Sequence, residues 1–406
     1  MRCGLIGERL GHSYSKWIHE RFGAYSYDLC SLAPTEVEAF VRTGGYQGLN
    51  VTIPYKQTVL PLCDTLSDTA RRVGSVNTLL RTPDGALHGF NTDYAGFAAM
   101  AARAGVEFAG RRVAVLGSGG TSLTAQAVAT DAGAASVTVV SRSGPVRYDE
   151  LGPARDCDLL VNTTPVGMFP GNGSAPVSLD GFPRCAGVLD VIYNPLRTAL
   201  VQQAEARGVP AAGGLYMLAA QAAEAYRIFT GAPLPAGALA TVYADLLREV
   251  ENIVLIGMPG SGKSTLGRLL AERLGRPLLD TDAAAAEQAG KSVPAIFAQD
   301  GEPAFRAFER AAAAACGKQK GAVIATGGGV VLSEDNVRAL RQNGRLFFLR
   351  RPLEALETVG RPLSTGPAAL RRMYAARLPL YRAACDVEID NTGAPERAVQ
   401  QILEAF

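Results

Sequence analysis

The feature of this sequence that most constrains its fold is the run GMPGSGKS at residues 257–264, which satisfies the pattern GxxxxGKS. A short apolar stretch, Asn252–Ile256, precedes the run, and helix-forming sequence follows it. In such a loop, backbone amides surround phosphates, the lysine neutralises β- and γ-phosphate charge, and the serine hydroxyl reaches Mg²⁺. The run therefore predicts a P-loop α/β domain. Its predicted nucleotide contacts are Gly257, Gly260, Ser261, Gly262, Lys263, Ser264 and Thr265.

A second glycine-rich turn, GSGG at residues 117–120, follows an apolar strand predicted at Arg112–Leu116. Gly117 permits a tight turn, Gly119 lets the backbone approach a pyrophosphate, and a helix starting near Gly120 would stabilise the phosphate charge. Ser122 stands where a third glycine is usual. The pattern predicts a Rossmann-type dinucleotide site, with a plain strand-to-helix turn as the alternative.

The end of the next strand indicates which dinucleotide is bound. The strand predicted at Ser136–Val140 ends in Ser141, Arg142 and Ser143, whereas an NAD site would place Asp or Glu there. A guanidinium flanked by hydroxyls suits a 2′-phosphate, so Ser141 and Arg142 favour NADP(H). The alternative for Arg142 is an ordinary solvated surface arginine.

Length and turn residues divide the chain. A sequence of 406 residues is expected to form two or three cores. The Gly- and Pro-rich segment 231–237 breaks the helical pattern, Ala238–Val250 is predicted as an amphipathic helix, and the junction is placed at residues 248–252. We predict an N-terminal α/β lobe at residues 1–92 completed by helices at 213–248, a Rossmann lobe at 93–212, and the P-loop domain at 252–406.

Composition argues against several kinds of partner. Lys and Arg total 40 against 38 Asp and Glu, so no basic field predicts nucleic acid binding. No apolar run is long enough for a membrane span or a secretion signal. The seven cysteines are scattered singly, without metal-ligand spacing. We expect a cytoplasmic protein with reduced thiols, small-molecule substrates and no nucleic acid or membrane partner, and we allow for an oligomer.

Polar clusters recur in order through the first 248 residues. They are Ser13 and Ser15 within HSYS, Thr52 and Lys56 within NVTIPYK, Asn77 within VNT, Asp93 within NTD, NTTPVGM at residues 162–168, Tyr193 within DVIYNP, and Gln221 within MLAAQ. Taken singly, each has a structural alternative, because Asn-Thr pairs often cap helices and a lone lysine is usually solvated. As an ordered set, they resemble the signature of shikimate dehydrogenases.

This resemblance implies reduction of 3-dehydroshikimate to shikimate with NADPH. Lys56 would serve as acid/base or charge stabiliser, and Asp93 would hold a substrate hydroxyl and the lysine. Such groups are needed because the ketone oxygen takes a proton as the carbon takes hydride. Ser13 and Ser15, expected on one face of an extended segment, would hold the substrate carboxylate. Thr52, Asn77, Tyr193 and Gln221 would bind ring hydroxyls or the carboxylate, and Gly214 and Met217 would border the nicotinamide.

Some positions depart from the pattern of that family. Lys16 replaces a usual proline, Ser75 a usual alanine and Ser141 a usual asparagine, and the stretch from 142 to 158 is short. These departures concern the cofactor site more than the reacting groups.

The P-loop half resembles shikimate kinases over about residues 252–406. The matching runs are DTD at 280–282, GEPAFR at 301–306 with Glu309, GGG at 327–329, RPL at 361–363 and RLPLY at 377–381. The resemblance implies transfer of phosphate from ATP to shikimate. It implies these roles: Asp280 with Ser264 on Mg²⁺, Asp282 on the attacking hydroxyl, Arg306, Arg377, Gly328 and Gly329 on the substrate, Lys263 on the phosphates, and Arg361 closing from a lid.

Here too there are alternatives and departures. A single arginine is usually a surface charge, and a glycine triplet after a buried strand can be a plain turn. Ala285 and Ala286 replace residues typical of the family, and the lid is short.

The two halves point to consecutive reactions, because the ketone reduced by the first becomes the alcohol phosphorylated by the second. We therefore predict a bifunctional α/β enzyme that uses NADP(H), and ATP with Mg²⁺. Two rivals remain: a quinate/shikimate dehydrogenase joined to a related small-molecule kinase, and a catalytically silent ligand-sensing regulator of the same folds.

Overall fold

The protein is described here from a computed structural model covering residues 1–11, 13–356 and 367–406. Contacts between residues divide it into two compact units, Met1–Leu246 and Leu247–Phe406. The first unit contains two sheets and the second contains one. Each combines short strands with helices, which confirms the predicted α/β class.

The first sheet belongs to the N-terminal lobe. Its strands and accompanying helices are β1 (Arg2–Gly7), β2 (Ser26–Ser31), β3 (Gly48–Val51), β4 (Thr65–Leu66), β5 (Thr78–Arg81), β6 (Leu87–Phe90), α1 (Ser15–Phe22), α2 (Val37–Thr43) and α3 (Asp68–Val73). The strand order is β2-β1-β3-β5-β6-β4. β1 pairs in parallel with β2 and β3, whereas β5 is antiparallel to β3 and β6. From the second residue onward β1 is buried, as expected for a central strand covered on both faces.

The second sheet is entirely parallel. Its strands and the helices around them in the sequence are α4 (Asp93–Arg103), β7 (Arg112–Leu116), α5 (Gly120–Asp131), β8 (Ser136–Val140), β9 (Leu159–Asn162), β10 (Gly187–Asp190), α6 (Ala199–Ala206), β11 (Ala211–Ala212), α7 (Leu215–Thr230) and α8 (Ala238–Val250). The order β11-β10-β9-β7-β8 places the topological switch between β7 and β9. In such sheets ligands bind at the carboxyl ends of the strands beside the switch.

Helix α7 packs mainly on α4 but also contacts α1 of the N-terminal lobe. Phe229 near its end joins an apolar cluster with Leu5 and Tyr27. A Cβ atom at Gly48 would lie 2.5 Å from the Phe229 ring, so this strand position has room only for glycine. The return of the chain to the first lobe follows from this apolar packing.

The third sheet forms the core of the second unit and is also parallel. Its elements are β12 (Asn252–Ile256), α9 (Lys263–Leu274), β13 (Leu278–Asp280), α10 (Thr281–Ala289), α11 (Val293–Gln299), α12 (Gly301–Gly317), β14 (Val323–Ala325), α13 (Glu334–Arg341), β15 (Gly344–Arg350), α14 (Pro367–Ala384), β16 (Val387–Asp390) and α15 (Pro395–Ala405). In the order β13-β14-β12-β15-β16, β12 is central and fully buried. The loop after β12 therefore starts at the middle of the sheet edge.

The state of the cysteines and the character of the helices can also be read from the structure. All seven cysteines are free thiols. Within the described ranges, no helix has the length and apolar character needed to cross a membrane.

Candidate active sites

Lys56 and Asp93 lie together in the first unit. Lys56 follows β3, and Asp93 is the first residue of α4. The Lys56 Nζ atom donates to Asp93 Oδ2 at 2.6 Å, with only 15% and 9% of the two side chains exposed. A Cβ atom at Gly120 would lie 4.0 Å from Lys56 Cδ, so the ion pair is close to the glycine-rich turn. A low-dielectric position of this kind strengthens the pairing of the two charges.

A second group of predicted residues forms a buried hydrogen-bond network. Asn77 donates from Nδ2 to Thr92 Oγ1 at 3.0 Å and to Gln221 Oε1 at 3.3 Å. Its own Oδ1 accepts from the Thr92 backbone N–H at 2.7 Å. Thr92 precedes Asp93, so the network adjoins the ion pair and brings α7 to the N-terminal lobe. The network fixes the amide groups of Asn77 and Gln221 and the hydroxyl of Thr92 relative to one another.

The two predicted serines are also adjacent, but the backbone around them differs from the expectation. Ser13 Oγ donates to Ser15 Oγ at 3.1 Å, and the Ser15 N–H donates to Ser13 Oγ at 3.2 Å. Ser15 opens helix α1 and Tyr14 is already helical, so the predicted extended segment was wrong. The Ser13 hydroxyl can bridge to Ser15 because the chain turns into the helix at this point.

Tyr193 packs against the segment that carries the two serines, and Thr52 lies beside Gly7 of β1. The rings of Tyr193 and Tyr14 lie 5.9 Å apart, which places Tyr193 beside the serine pair. Burial raises the pKa of the Tyr193 phenol, so it remains a neutral hydroxyl. Thr52 follows β3, and its Cγ2 would be 2.6 Å from a Cβ atom at Gly7. Among the described residues, no hydrogen bond joins the Thr52 or Tyr193 hydroxyl to the other predicted residues.

The glycine-rich turn has the geometry of a dinucleotide site. Gly117 has φ +106°, and a Cβ atom there would lie 2.8 Å from Thr163 Oγ1. Gly119 is the N-cap of α5, no side chain caps the helix, and nothing lies within 4 Å of a Cβ built on it. Ser122, in the place of the third glycine, donates to the Gly117 carbonyl at 2.7 Å. The first-turn amides of α5 are thus available to a pyrophosphate, and the residues fit an NADP(H) cofactor.

The remaining cofactor residues lie at the same edge of the second sheet. Ser141 is buried directly after β8, and Arg142 beside it is exposed. Gly214 precedes α7 and lies tightly against the residue that follows β10, since a Cβ there would approach the Val191 carbonyl oxygen to 2.1 Å. Met217 is 7% exposed and packs in the core between α4 and the sheet. Gly214 therefore permits close approach of the backbone at the carboxyl end of β10.

The P-loop of the second unit has the expected conformation. Gly257, Gly260 and Gly262 have φ values of +150°, +80° and +91°, which favour glycine. Helix α9 begins at Lys263, and no side chain caps its N-terminus. Lys263 Nζ donates to the carbonyls of Gly257 and Met258 at 2.9 Å each, curling over the loop. This cradle of backbone amides and one ammonium fits nucleotide phosphates.

The carboxylates after β13 lie beside the loop. Asp280 caps α10, and its Oδ1 accepts from the N–H groups of Asp282 and Ala283 at 2.9 and 3.1 Å. Its Oδ2 accepts from Ser264 Oγ at 3.4 Å. Within the described ranges, no group of three or more His, Cys, Asp or Glu side chains could hold a metal ion. A hydroxyl with one carboxylate is the sparse donor set that suits Mg²⁺, which keeps waters and binds phosphate oxygens.

Asp282, two residues after Asp280, is also half-buried. Burial raises its pKa to about 6, and the neighbouring Asp280 carboxylate acts in the same direction. Its Oδ1 atom is buried and accepts no hydrogen bond from the described residues. A carboxylate with a spare lone pair and a pKa near neutrality is suited to accept a proton from a hydroxyl.

The glycine triplet packs against Asp282, Pro259 and Arg306. A Cβ atom at Gly327 would lie 2.2 Å from Asp282 Oδ1, one at Gly328 would lie 2.6 Å from Pro259 of the P-loop, and one at Gly329 would lie 2.1 Å from Arg306 Nη1. Any side chain at these positions would displace the aspartate, the loop or the guanidinium. The triplet is therefore a packing surface for the site, and the plain-turn alternative does not account for it.

The two predicted substrate arginines meet the same triplet. Arg306 on α12 is held by Glu302 and Glu309, with Nη1 to Glu309 Oε2 at 2.9 Å. Arg377 on α14 is 7% exposed and donates to the Gly328 carbonyl at 2.9 Å, as the Tyr381 hydroxyl does at 2.5 Å. Thr265, next to Ser264, is exposed at the start of α9. The predicted lid residue Arg361 lies outside the described residues.

One residue that holds the P-loop was not predicted. Asn391, directly after β16, donates from Nδ2 to the Ser261 carbonyl at 2.6 Å. A Cβ atom at Gly262 would lie 2.9 Å from the same nitrogen. This contact joins positions 130 residues apart, and no local motif marks it.

Three family models match the chain. The model of the shikimate dehydrogenase substrate binding domain matches residues 5–79, and that of the shikimate 5'-dehydrogenase C-terminal domain matches residues 214–240. The shikimate kinase model matches residues 259–406. The matches fall on the first and second units respectively.

Individual proteins agree with the first two matches. A shikimate dehydrogenase (NADP(+)) of Clostridium perfringens is 34% identical over 264 residues, which are 60% of this chain and 97% of the relative. The structure of Thermus thermophilus shikimate 5-dehydrogenase with NADP(H) and shikimate is 29% identical with a TM-score of 0.54, covering 60% and 99% of the two chains. Quinate dehydrogenase of Corynebacterium glutamicum with NAD is 26% identical with a TM-score of 0.55, covering 61% and 98%. The chain therefore belongs to the shikimate dehydrogenase family over its N-terminal 60% and continues into a shikimate kinase domain, which makes it a bifunctional enzyme of the shikimate pathway.

Proposed function

We propose that the first unit reduces 3-dehydroshikimate to shikimate and that Lys56 and Asp93 are its reacting pair. The observation that carries this proposal is the 2.6 Å contact between Lys56 Nζ and Asp93 Oδ2 beside Gly120 of the cofactor turn. Bound NADPH supplies hydride to the carbonyl carbon. Lys56 delivers the proton to the carbonyl oxygen and stabilises its negative charge, while Asp93 orients the ammonium.

Substrate binding is assigned to the surrounding polar groups. Ser13 and Ser15 offer two adjacent hydroxyls to the substrate carboxylate. Asn77 and Gln221 present amides to the ring hydroxyls from a buried network, and Thr52 and Tyr193 complete this set. The cofactor set consists of Gly117, Gly119, Gly120, Ser141, Arg142, Gly214 and Met217.

For the second unit we propose phosphorylation of shikimate. Bound ATP with Mg²⁺ supplies the phosphoryl group and neutralises its charge. Lys263 holds phosphate oxygens, and Ser264 and Asp280 would hold the metal ion. Asp282 accepts the proton of the attacking hydroxyl, and Arg306 and Arg377 grip the substrate carboxylate. Their common packing on residues 327–329 supports one site for all three side chains.

The experiment is a coupled assay on the purified chain with 3-dehydroshikimate, NADPH, ATP and Mg²⁺. Nicotinamide absorbance and ADP release are followed separately. We expect NADPH oxidation without ATP, and ADP release only after shikimate has formed or been added. NADPH oxidation without subsequent ADP release would contradict the kinase assignment, and the reverse pattern would contradict the dehydrogenase assignment. Lys263→Ala should lower the rate of ADP release by a factor of roughly 10³ or more and leave NADPH oxidation unchanged.

Quinate is a second candidate substrate, because a quinate dehydrogenase shares the fold at a TM-score of 0.55. The exposed Arg142 after β8 favours a cofactor with a 2′-phosphate. The two candidates are distinguished by measuring the rates at which quinate and shikimate are oxidised, each with NADP⁺ and with NAD⁺. Preference for quinate with NAD⁺ would replace the first assignment.

A further inference from the structure

Asp190, to which the sequence pattern attached no role, is a buried carboxylate of the first unit whose two oxygens both accept hydrogen bonds. Asp190 is the last residue of β10 and is 0% exposed. Its Oδ1 accepts from Asn162 Nδ2 at 3.1 Å and from the Ile192 N–H at 3.0 Å. Its Oδ2 accepts from the same Asn162 nitrogen at 3.1 Å and from Thr198 Oγ1 at 2.7 Å. In the described part of the chain, no cation forms an ion pair with it.

Asn162 connects Asp190 to the cofactor turn. It ends β9, and its Oδ1 accepts from the Thr164 N–H at 3.0 Å and from Thr164 Oγ1 at 2.8 Å. Thr164 Cγ2 in turn lies 3.1 Å from the position of a Cβ atom at Gly117. The Asp190 carboxylate thus determines which way the Asn162 amide points, and the amide holds the turn that contacts Gly117.

Ile192 connects Asp190 to the other side of the site. The Ile192 carbonyl accepts from the Gly214 N–H at 2.8 Å, and Ile192 directly precedes Tyr193. Thr198 is the N-cap of α6 and accepts from the Val201 N–H at 3.3 Å. One carboxylate therefore ties together the turn after β9, the turn after β10 and the start of α6.

A buried carboxylate without a cation is costly, and only a full set of donors offsets its desolvation. Burial raises the pKa of Asp190 to about 6. Both carboxylate oxygens of Asp190 accept from donors, so the geometry fits the ionised form. An apolar core alone would not require such a group between two turns that border the cofactor.

We propose that Asp190 is a positioning residue of the dehydrogenase, which holds the turn containing Thr164 and the turn containing Tyr193 in register on either side of the bound cofactor. It touches neither substrate nor cofactor. It acts by orienting Asn162 and Ile192, so that Gly117, Gly214 and Tyr193 keep their places while hydride is transferred. The inference rests on the proposed reduction of 3-dehydroshikimate.

The test begins with Asp190→Asn in the full chain. The new amide keeps the size of the carboxylate but places an NH₂ group among donors. A misplacement of about 1 Å in a site of this kind costs on the order of 100-fold in rate, so kcat for reduction should fall roughly 10- to 100-fold. The double variant Asn162→Asp with Asp190→Asn exchanges donor and acceptor and should recover most of the lost kcat. Kinase activity in the same preparation should stay unchanged.

Asp158→Asn is the matched stability control. Asp158 lies at the opposite end of β9, where it accepts from Arg112 N at 2.9 Å. This variant should lower the melting temperature with kcat unchanged. If Asp190→Asn does not fold, Thr198→Val removes one donor to Asp190 together with the N-cap of α6, and it should lower kcat by roughly fivefold.

The outcomes separate the two proposals. A wild-type chain that folds but does not reduce 3-dehydroshikimate overturns the proposed function. If the wild type is active, either of two results overturns the present inference. One is that folded Asp190→Asn keeps kcat within twofold. The other is that Asp190→Asn and Asp158→Asn lose the same fraction of kcat at the same melting temperature. If Thr198→Val folds and Asp190→Asn does not, an unchanged kcat in Thr198→Val also overturns the inference.

Discussion

The Lys56 ammonium and the Asp93 carboxylate form a 2.6 Å contact that joins the segment after β3 to the first turn of α4. It links the lobe that carries the predicted substrate residues to the helix that packs on the cofactor lobe. The two side chains lie 37 positions apart in the sequence, so folding of the first unit is what makes them partners.

Lys56→Ala should lower the rate of 3-dehydroshikimate reduction by roughly 10²- to 10⁴-fold, because it removes the proposed proton donor. Shikimate phosphorylation by the same preparation should be unaffected, since its proposed residues all lie in the second unit. Steady-state NADPH oxidation and ADP release measure the two activities. Retention of full reductase activity would remove Lys56 from the mechanism.

Arg142→Ala should weaken NADPH binding roughly 10- to 150-fold and NADH binding much less, because only NADPH carries the 2′-phosphate. The side chain is exposed after β8, free to meet a ligand. Titration of the two reduced cofactors by fluorescence gives the two dissociation constants. Arg147, also exposed and paired with Asp149, is the matched control. An equal loss for both cofactors would contradict the assignment of NADP(H) specificity to Arg142.

The raised pKa of Asp282 predicts how the kinase activity depends on pH. Because burial raises its pKa to about 6, the group is protonated below that pH and cannot accept the hydroxyl proton. The kcat/KM for shikimate should therefore fall about tenfold per pH unit below pH 6 and be level above it. Asp282→Asn should lose roughly 10²- to 10⁴-fold in rate and show no such fall. A wild-type profile that is flat from pH 5 to 8 would argue against this role.

The position of a cut between the two activities can be chosen from contacts at the end of α8. Glu251 is 3% exposed, its Oε2 lies 3.3 Å from Arg345 Nη2, and the Val250 carbonyl accepts from the Gly321 N–H at 2.9 Å. A fragment 247–406 should therefore melt higher than a fragment 252–406, by roughly 2–12 °C. Glu251→Gln should reproduce much of the loss, and Glu249→Gln, at an exposed position, should not.

Fragments that end and begin near this position test whether the activities are independent. We expect residues 1–250 to reduce 3-dehydroshikimate and residues 247–406 to phosphorylate shikimate, because every proposed site residue lies within one fragment. Each is long enough to bury its own core. A folded fragment that is inactive until the other is added would show that the two parts build a site together.

Local patterns were sufficient for the elements nearest the glycine loops. The strands Arg112–Leu116, Ser136–Val140 and Asn252–Ile256 and the helix Ala238–Val250 occur as predicted. Apolar runs and glycine turns act over a few residues, so their consequences are visible in the sequence. The expectation for Ser13 and Ser15 failed because the start of α1 is set by packing of its buried face on the lobe, and the local serines do not report that packing.

By itself, the sequence determined which chemical groups the protein possesses and the order in which it carries them: two glycine loops, a lysine and aspartate for a ketone, and two aspartates and arginines for phosphoryl transfer. Only the tertiary structure decided which of these groups meet. The glycine triplet touching Asp282, Pro259 and Arg306, the Asn391 amide on the P-loop and the donors around Asp190 are contacts between distant positions. They depend on burial and on strand order, since a buried polar group must find its partners wherever the packed chain brings them.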